Sequence, residues 1–425
     1  MNPSATPFPP RDETVRHDRP PRPSAEPQAP EPPASEPPAP ERPSPAPPQA
    51  GPRLRRRRCL VCYWHQGAFV AHPYPDGEPV TLPPDAAALL AAFDDWTTPD
   101  QAAAGHPPGG PPSGPLTGDA VRAAVEVLRR HHLLLAEHSP QAEADARVAH
   151  EWRSWEPEAP FFHYATQDTI TAGNVDAPMP GIERLPAIFT EHPGADRLLL
   201  PRRPADLATP YGQVLHGRRT CFGFTADPVA LPTLAALLHT CFAPVDYIDA
   251  GELAGLYRRT SPAGGARQEL DPYLAVRNVE GVTPGIYHYN VREHSLELLA
   301  EGCTREEAAH LCAGQDTGGQ AAFLIVLVAV IERMRAKYRT PRCYRVSLLN
   351  AGHLGQTFAL TATALGLGAW QTGAFHDTAV AERLGLDNSA RTPLYVLAAG
   401  HPGPAPADAS PPATLTTFRA TRLTT

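Results

Sequence analysis

Eight consecutive apolar residues constrain the fold of this chain more than any other feature. The run 323–330 reads Phe-Leu-Ile-Val-Leu-Val-Ala-Val, which is rich in β-branched side chains and lacks the alternation expected of a half-exposed strand. A strand that is apolar on both faces is stable only where both faces of its sheet are covered. The run therefore predicts the central strand of a sheet that has helices on both sides.

The segments around this run predict the rest of one α/β domain between residues 206 and 400. We predict helices over 228–239 and 347–365, strands over 273–276 and 392–400, and a hairpin that pairs 285–289 with 296–299. In the long helix, Ala351, Gly355 and Ala359 follow one another at intervals of four. They form a flat stripe that a neighbouring backbone can approach closely.

The start of the chain is predicted to stay outside any core. The first 50 residues hold 18 of the 53 prolines and almost no large apolar side chains, so burial cannot offset their chain entropy. We predict a disordered Pro-rich tail over 1–58 that ends in an arginine run, and a second tail over 406–425. The arginine run is typical of a solvated junction, and contact with a leader peptide or a nucleic acid is the alternative.

A small module is predicted over 59–140. Leu60–His65 and Ala68–Ala71 read as two strands around Gly67, which can take a positive φ. Helices are predicted from Pro84 and over 119–135, so the module is winged-helix-like. The Pro/Gly-rich loop 105–115 is too long for a tight helix-turn-helix, and we therefore expect docking of a peptide or protein rather than reading of DNA.

Residues 141–204 are predicted to be a linker and packing segment, followed by the main domain over 205–405. The segment carries an aromatic cluster that we expect to be buried against the next domain. Its members are Trp152, Trp155, Phe161, Phe162 and Tyr164.

Charge, cysteine content and hydropathy exclude several classes of protein. A net charge of −8 argues against nucleic acid as a partner. The seven scattered cysteines do not form a disulfide framework, and the lone Cys59-Leu-Val-Cys62 lacks the second ligand pair of a zinc site, so no metal is predicted. No apolar run reaches the roughly 18–20 residues that span a bilayer, and no signal sequence is evident. We expect a cytoplasmic protein with reduced thiols and no membrane partner.

Four stretches of the main domain carry residues suited to one binding site. Arg218, Arg219 and Thr220 offer two guanidiniums and a hydroxyl, which suit a phosphate. Pro262, Ala263, Gly264 and Gly265 leave a backbone that a flat ligand can approach closely. Surface arginine pairs and ordinary loops are the alternative explanations.

The other two stretches carry candidate proton-transfer groups and accessible amides. Lys337 and Tyr338 can move protons if a cavity shifts their pKa values, and a solvated lysine beside a packing tyrosine is the alternative. Gln356 offers both a donor and an acceptor, and Gly373 and Ala374 leave backbone amides accessible.

In this order and spacing, the stretches resemble the FMN-dependent nitroreductase family. More closely, they are similar to the SagB-type, thiazole/oxazole-forming peptide dehydrogenases. The likeness rests on Arg-Arg-Thr at 218–220, Ser-Pro-Ala-Gly-Gly-Ala-Arg at 261–267, Gly-Ile-Tyr-His-Tyr at 285–289, Lys-Tyr at 337–338, Leu-Asn-Ala-Gly-His-Leu-Gly-Gln at 349–356, Ala-Leu-Gly-Leu-Gly at 364–368 and Gly-Ala-Phe-His-Asp at 373–377. The resemblance implies an α+β, nitroreductase-like FMN domain that is dimeric.

The resemblance also implies a role for each site residue. Arg218, Arg219 and Thr220 would bind the phosphate and ribityl end of FMN, and residues 262–265 would line the flavin ring. Gln356 would contact the cofactor from the long helix, and Gly373 and Ala374 would lie near the flavin N5 edge. Lys337 and Tyr338 match the pair regarded as catalytic.

The function implied is oxidation of azoline rings to azoles in a ribosomally made peptide, with a cyclodehydratase partner and a homodimeric enzyme. Two positions depart from the family pattern. Phe222 stands where a second basic residue is usual, and Ala263 stands where serine is usual. Each replacement removes a hydrogen bond to FMN, which is worth about 1–3 kcal/mol of binding free energy where the lost partner is charged or buried. The alternatives are an NAD(P)H-dependent nitro or quinone reductase, and a flavin-poor scaffold in a peptide-modifying complex.

Overall fold

The computed structural model describes residues 51–104, 118–169, 185–202, 206–249, 255–338 and 340–404. The predictions for the tail up to residue 50, for the loop 105–115 and for the tail 406–425 lie outside these ranges. Within them, no helix is both long enough and apolar enough to cross a bilayer.

The first part of the described chain contains two small sheets and five helices. The strands are β1 (Leu54–Arg56), β2 (Leu60–His65), β3 (Ala68–Pro73), β4 (Val80–Leu82) and β5 (Leu134–Ala136), and the helices are α1 (Ala86–Ala91), α2 (Pro99–Ala104), α3 (Gly118–Arg130), α4 (Pro140–Glu151) and α5 (Glu158–Ala165). The predicted hairpin is present as β2 and β3, and Gly67 has φ +80°. The prediction of a helix through Leu135 is wrong, because the helix ends at Arg130 and β5 pairs with β1.

The arginine run belongs to this folded part. Arg55 and Arg57 are only 5% and 1% exposed, and Arg55 lies 3.2 Å from the carboxylate of the fully buried Asp145. Asp145 also accepts hydrogen bonds from the backbone N–H groups of Arg58 and Cys59. The expectation of a solvated junction is therefore wrong for Arg55 and Arg57, whose buried charges are balanced by a carboxylate. Among the described residues, regular structure is present from β1, before Cys59.

The second part of the chain contains one large sheet and a separate two-stranded sheet. Its strands are β6 (Asp196–Leu199), β7 (Asp246–Asp249), β8 (Gly255–Arg258), β9 (Leu270–Val276), β10 (Gly285–Asn290), β11 (Ser295–Glu301), β12 (Phe323–Val330), β13 (Gly368–Thr372) and β14 (Arg391–Gly400). Its helices are α6 (Tyr211–Gly217), α7 (Leu231–Phe242), α8 (Arg305–Leu311), α9 (Asp316–Gln320), α10 (Ile331–Arg335), α11 (Arg342–Ala364) and α12 (Asp377–Arg383).

Seven of these strands form an antiparallel sheet in the order β13-β14-β12-β9-β10-β11-β6. The apolar run is β12, which pairs with β14 on one side and β9 on the other. Alternate β12 residues enter two cores: Ile325 and Leu327 pack with α7 and α11, and Leu324 and Val326 pack with α8 and α12. The α+β fold and the doubly covered central strand are confirmed.

The flat stripe on α11 is also present. A Cβ atom on Gly355 would lie 2.6 Å from Oε1 of Gln371 and 2.8 Å from Cε1 of Tyr395. The Gln371 side chain donates to the Gly355 carbonyl at 2.7 Å. The helix therefore lies against β13 and β14 as closely as the small residue allows.

The aromatic segment 152–164 bridges two parts of the structure. Trp152, Phe161 and Tyr164 pack with Tyr74 of the first part, whereas Trp155 is 65% exposed. From the same segment, the carbonyl of His163 accepts a 2.8 Å hydrogen bond from Arg345 on α11. The expectation of burial against the next domain holds for only part of the cluster, since three of its rings pack on the preceding module.

A buried ion pair joins α10 to the sheet. Arg333 is 1% exposed and donates to Asp271 on β9 at 2.6 Å, to the Gln268 carbonyl at 3.2 Å and to Thr190 at 3.0 Å. Thr190 in turn donates to the second carboxylate oxygen of Asp271. Arg333, together with hydrogen bonding, holds the pKa of Asp271 below its ordinary value although burial opposes this.

We expect Asp271→Asn to lower the free energy of unfolding by about 3–5 kcal/mol, because it leaves the buried guanidinium of Arg333 without its counter-ion. The matched control is Asp316→Asn, which makes the same change in the exposed Arg305–Asp316 pair and should cost less than about 1 kcal/mol. Urea unfolding of both variants measures the difference. The pKa of Asp271 is lower in the folded protein than in the unfolded chain. Its contribution to the free energy of unfolding is therefore fully present above the pKa of the unfolded chain. That contribution is lost as the pH falls through the pKa of the folded protein. Equal costs in the two variants would contradict this role.

Candidate functional site

The predicted glycine loop lies on α11. The Ser261 hydroxyl is 2.6 Å from the Thr357 hydroxyl, the Pro262 carbonyl is 3.3 Å from Nδ1 of His353, and the Gly264 N–H donates to Oδ1 of Asn350 at 3.2 Å. The three α11 partners follow one face of the helix at spacings of three and four. The loop is therefore fixed by side chains of the helix that also carries Gln356.

Both glycines are required by this chain's own side chains. A Cβ atom on Gly264 would lie 2.5 Å from Cγ1 of Val346. Gly265 has φ +61°, and its Cβ would lie 2.6 Å from the Tyr338 hydroxyl and 3.0 Å from the Nζ of Lys337. The sequence indicated a loop open to a flat ligand, and the structure shows that the missing side chains leave space for Lys337 and Tyr338.

Lys337 and Tyr338 follow α10 directly. Their backbone N–H groups both donate to the Met334 carbonyl, at 3.1 and 2.9 Å, so the two residues continue the last turn of the helix. Residues on consecutive positions of a strand would point to opposite faces, but here Nζ of Lys337 lies 5.7 Å from the ring centroid of Tyr338. Both side chains are half-buried beside Gly265.

The electrostatics of Tyr338 differ from the expectation for a base. Burial, the largest cause, raises the pKa of Tyr338, and the carboxylate of Glu269 raises it further, while the guanidinium of Arg267 opposes both. The net shift is upward, which is the wrong direction for a base at neutral pH. The raised pKa keeps the Tyr338 hydroxyl protonated at neutral pH.

The sequence contains a further signal at Lys337 that was not used above. The chain contains 37 lysine and arginine residues together, and Lys337 is its single lysine. An arginine keeps its charge at every accessible pH, whereas a lysine amine can lose its proton. A chain that uses arginine for every other cation thus keeps one ionisable amine, beside Tyr338.

The residues predicted to bind a phosphate follow the end of α6, and the last of them lies beside β13. Thr220 forms a bridge with Ala369 of β13. Arg219 is exposed and donates to the carbonyls of His216 and Arg218 at 2.8 Å each. Within the described ranges, the half-buried guanidinium of Arg218 has neither a hydrogen-bond nor an ion-pair partner. Of the two arginines, Arg218 is the one whose guanidinium is wholly unpaired in that part of the structure, whereas Arg219 uses NH1 for two backbone carbonyls.

The remaining predicted residues are exposed. Gln356 lies on the outer face of α11, and Gly373 and Ala374 follow β13. The Ala374 N–H already donates to the Thr372 hydroxyl at 2.9 Å, so that amide is not free for a ligand. Nothing lies within 4 Å of a Cβ built on Gly373. Phe222, in the place of the usual basic residue, is 53% exposed.

Three buried polar residues next to the loop were not singled out from the sequence. They are Arg267, Glu269 and Asn350, which are 4%, 1% and 3% exposed. Asn350 donates to Oε1 of Glu269 at 2.9 Å. Polar residues beside a glycine loop are common, so the sequence carried no distinctive signal for them.

A second cluster is formed by His288 on β10, Glu297 on β11 and His192, which precedes β6. Ligand atoms of His192, His288 and Glu297 lie within 4.8 Å of one another. Glu297 accepts hydrogen bonds from His288 at 2.8 Å, from Asn290 at 2.9 Å and from the His192 N–H at 3.1 Å. Its oxygens are satisfied by these donors, which lower the pKa of Glu297 to about 2. The cluster is a hydrogen-bonded network rather than an open set of metal ligands.

Comparisons with known proteins place these residues in a family. The nitroreductase family model matches residues 215–401. The putative nitroreductase MJ1384 of Methanocaldococcus jannaschii is 32% identical over 171 residues, which are 40% of this chain and 82% of that protein.

Two relatives are named for peptide processing. The trifolitoxin-processing protein TfxB of Rhizobium leguminosarum bv. trifolii is 29% identical over 165 residues, 38% of this chain and 44% of that protein. The microcin B17-processing protein McbC of Escherichia coli is 29% identical over 176 residues, 40% of this chain and 61% of that protein. The chain thus spans less than half the length of TfxB. Given the matched domain and the share of MJ1384 that it covers, this chain belongs to the nitroreductase family.

Proposed function

We propose that this protein is an FMN-dependent dehydrogenase that oxidises azoline rings to azoles in a ribosomally made peptide. The observation that carries the proposal is the placement of the single lysine, Lys337, with Tyr338 against Gly265 of the glycine loop. The nitroreductase fold and the peptide-processing names of two relatives support a redox step in peptide maturation.

The residues present fit the cofactor in part. Arg218 has unused donors for a phosphate, Gly373 has an accessible backbone, and Gln356 is exposed on the helix that holds the glycine loop. We propose that these residues hold FMN, with Thr220 beside Arg218 and with Pro262 and Ala263 at the ring. Arg219 and the Ala374 amide have partners within the chain and contribute less than the resemblance implies.

The reaction removes a proton from Cα of the azoline and a hydride from the adjacent ring carbon. When bound, FMN supplies the hydride acceptor. Lys337 accepts the Cα proton at Nζ, a role that an arginine could not fill. Tyr338 stays protonated and donates a hydrogen bond that orients the ring.

We propose that the enzyme works as a homodimer. A set of large apolar side chains is exposed on α6 and α11, where an ordinary surface would carry polar groups. They are Tyr211, Leu215, Tyr344, Leu348 and Leu349, with exposures of 69%, 40%, 41%, 42% and 59%. A second copy that covers this face would complete the walls of the site beside Gln356.

The module before the main domain is proposed to dock the precursor peptide or a cyclodehydratase partner. Its three-stranded sheet ends in the edge strand β2, where Trp64 is 65% exposed. An unpaired edge and an exposed aromatic ring suit recognition of an extended peptide. All seven cysteines are free thiols, which supports a cytoplasmic protein.

We expect Lys337→Arg and Lys337→Ala to lower azoline oxidation by about 10²-fold or more, because both remove the proton acceptor. Tyr338→Phe should also lose most activity, since the hydroxyl is absent. Steady-state oxidation of an azoline-containing peptide measures the rates, and flavin absorbance shows that the cofactor is retained. Arg335→Ala, an exposed cation on the preceding helix, is the matched control and should keep the wild-type rate.

If Lys337→Arg oxidises azolines at the wild-type rate, only the positive charge is needed. That result would refute the proposed role of Lys337 as the proton acceptor. Rapid NAD(P)H oxidation that needs no peptide and is unaffected in these variants would favour a nitro or quinone reductase.

We expect Arg218→Ala to weaken FMN binding about tenfold or more, because a charge-assisted donor is lost. Arg219→Ala should have the smaller effect, since its guanidinium already bonds the end of α6. Phe222→Arg should tighten binding if it restores the usual cation. Fluorescence titration with FMN measures the three affinities. Equal FMN affinity in all variants would contradict the proposal that Arg218 binds the FMN phosphate. A wild-type protein that binds no FMN would favour the flavin-poor scaffold.

A further inference from the structure

The short helix α5 packs on both parts of the described chain. On one side, the ring of Phe161 lies 5.1 Å from that of His72 and 6.0 Å from that of Tyr74. On the other side, the ring of Phe162 meets Tyr344 of α11 edge-on, with the centroids 6.0 Å apart. Consecutive helix residues point about 100° apart, so α5 can contact the first part of the chain and the start of α11 at once.

Two arginines of α11 bind the end of α5. Arg345 donates to the His163 carbonyl at 2.8 Å and to the Thr166 hydroxyl, and Arg342 donates to the Thr166 carbonyl at 2.9 Å. Thr166 is 1% exposed and donates in turn to the Phe162 carbonyl at 2.6 Å. The last carbonyls of a helix have no partners within it, and cations are favourable at this end. The arginines therefore supply donors that the end of α5 lacks.

These contacts account for both guanidiniums. Within the described ranges, neither Arg342 nor Arg345 forms an ion pair with a carboxylate, and both point their donors at the end of α5. Thr340, just before α11, adds a third contact, because its hydroxyl donates to the Thr169 carbonyl at 3.4 Å. The start of α11 is thus anchored to the segment that ends α5.

The same stretch of α11 borders the glycine loop. Val346 fills the space beside Gly264, where a Cβ atom would lie 2.5 Å from its Cγ1. One turn further, Asn350 accepts the hydrogen bond of the Gly264 N–H at 3.2 Å. A displacement of the start of α11 would therefore move the packing partner of the loop as well.

The candidate pair lies between two anchored segments. Lys337 and Tyr338 follow Arg333, whose buried ion pair fixes α10, and Thr340 comes two residues after Tyr338. A side chain on a segment that is fixed at both ends has few positions available. Misplacement of a reacting group by about 1 Å can lower a rate about 10²-fold, so the second anchor matters for proton transfer.

We propose that Arg345 and Thr166 are positioning residues for the proposed oxidation. The bond between them fixes the start of α11 and, with it, Lys337 against the glycine loop. Their role in catalysis rests on the proposed function, whereas the fixed position of Lys337 does not. Thr166 lies outside the family match over 215–401, so part of the support of the site comes from the segment before the matched domain.

The single lysine provides a readout that needs neither cofactor nor substrate. The full-length protein is treated with trinitrobenzenesulfonate at fixed pH, and peptide mass spectrometry follows modification of Lys337 separately from the α-amine. Thr166→Val keeps the shape of the side chain but neither donates nor accepts. In this variant Lys337 should react about threefold faster or more, because the half-buried amine is released. Arg345→Ala should have the same effect, and Thr166→Ser, which keeps the hydroxyl, should retain the wild-type rate.

Arg383→Ala is the matched control. Arg383 is also partly buried and donates to the backbone carbonyls of Glu301 and Gly302, but α12 packs on the opposite face of the sheet from α11. Its loss should leave the reaction at Lys337 unchanged. If Arg345→Ala does not fold, Thr166→Val decides the matter. A wild-type rate of modification in folded Thr166→Val, or equal acceleration in Arg383→Ala, would overturn the proposal.

Kinetics separate this proposal from the proposed function. If the enzyme oxidises azolines, Thr166→Val should lower kcat about tenfold and leave KM for the peptide unchanged, because placement of the proton acceptor is altered and docking is not. Faster modification of Lys337 in a protein whose wild type oxidises no azoline would uphold the positioning role and refute the proposed function. Azoline oxidation by the wild type, with a wild-type rate of lysine modification in Thr166→Val, would do the reverse.

Discussion

The contacts of Arg333 hold the candidate site together. The guanidinium donates to Asp271 on β9, to Thr190 and to the Gln268 carbonyl. The backbone carbonyl of Arg333 accepts a hydrogen bond from Arg267. One buried residue thus joins α10 to the segment after the glycine loop. Because Lys337 and Tyr338 continue the last turn of α10, their place against Gly265 depends on these bonds. A paired buried charge has few alternative geometries, since any displacement leaves it unsatisfied.

The glycine loop packs against side chains of the protein itself and also offers a surface for a ligand. Gly264 and Gly265 are small because Val346, Lys337 and Tyr338 occupy the adjacent space. This packing brings an ionisable amine and a protonated phenol to the same point of the loop. Burial at this point raises the pKa of Tyr338, so this property follows from how loop, helix and sheet pack.

Much of the fold could be predicted because its signals are local. The run 323–330 is β12, the hairpin 285–299 is β10 with β11, and the spacing of Ala351, Gly355 and Ala359 does mark a close approach. Local signals failed where long-range pairing decided the outcome. Residues 134–136 form a strand because β1 lies beside them, and Arg55 and Arg57 are buried because Asp145, far along the chain, balances them.

The sequence by itself determined the central strand, the α+β class and the resemblance to a nitroreductase, because these follow from residue type and short spacing. A single lysine among so many arginines was also readable in it. Only the tertiary structure decided that burial raises the pKa of Tyr338, that Arg219 bonds its own helix end, and that Glu269 and Arg267 are buried. Burial, and charges brought together from different segments, set these properties, and neither is encoded in the order of neighbouring residues.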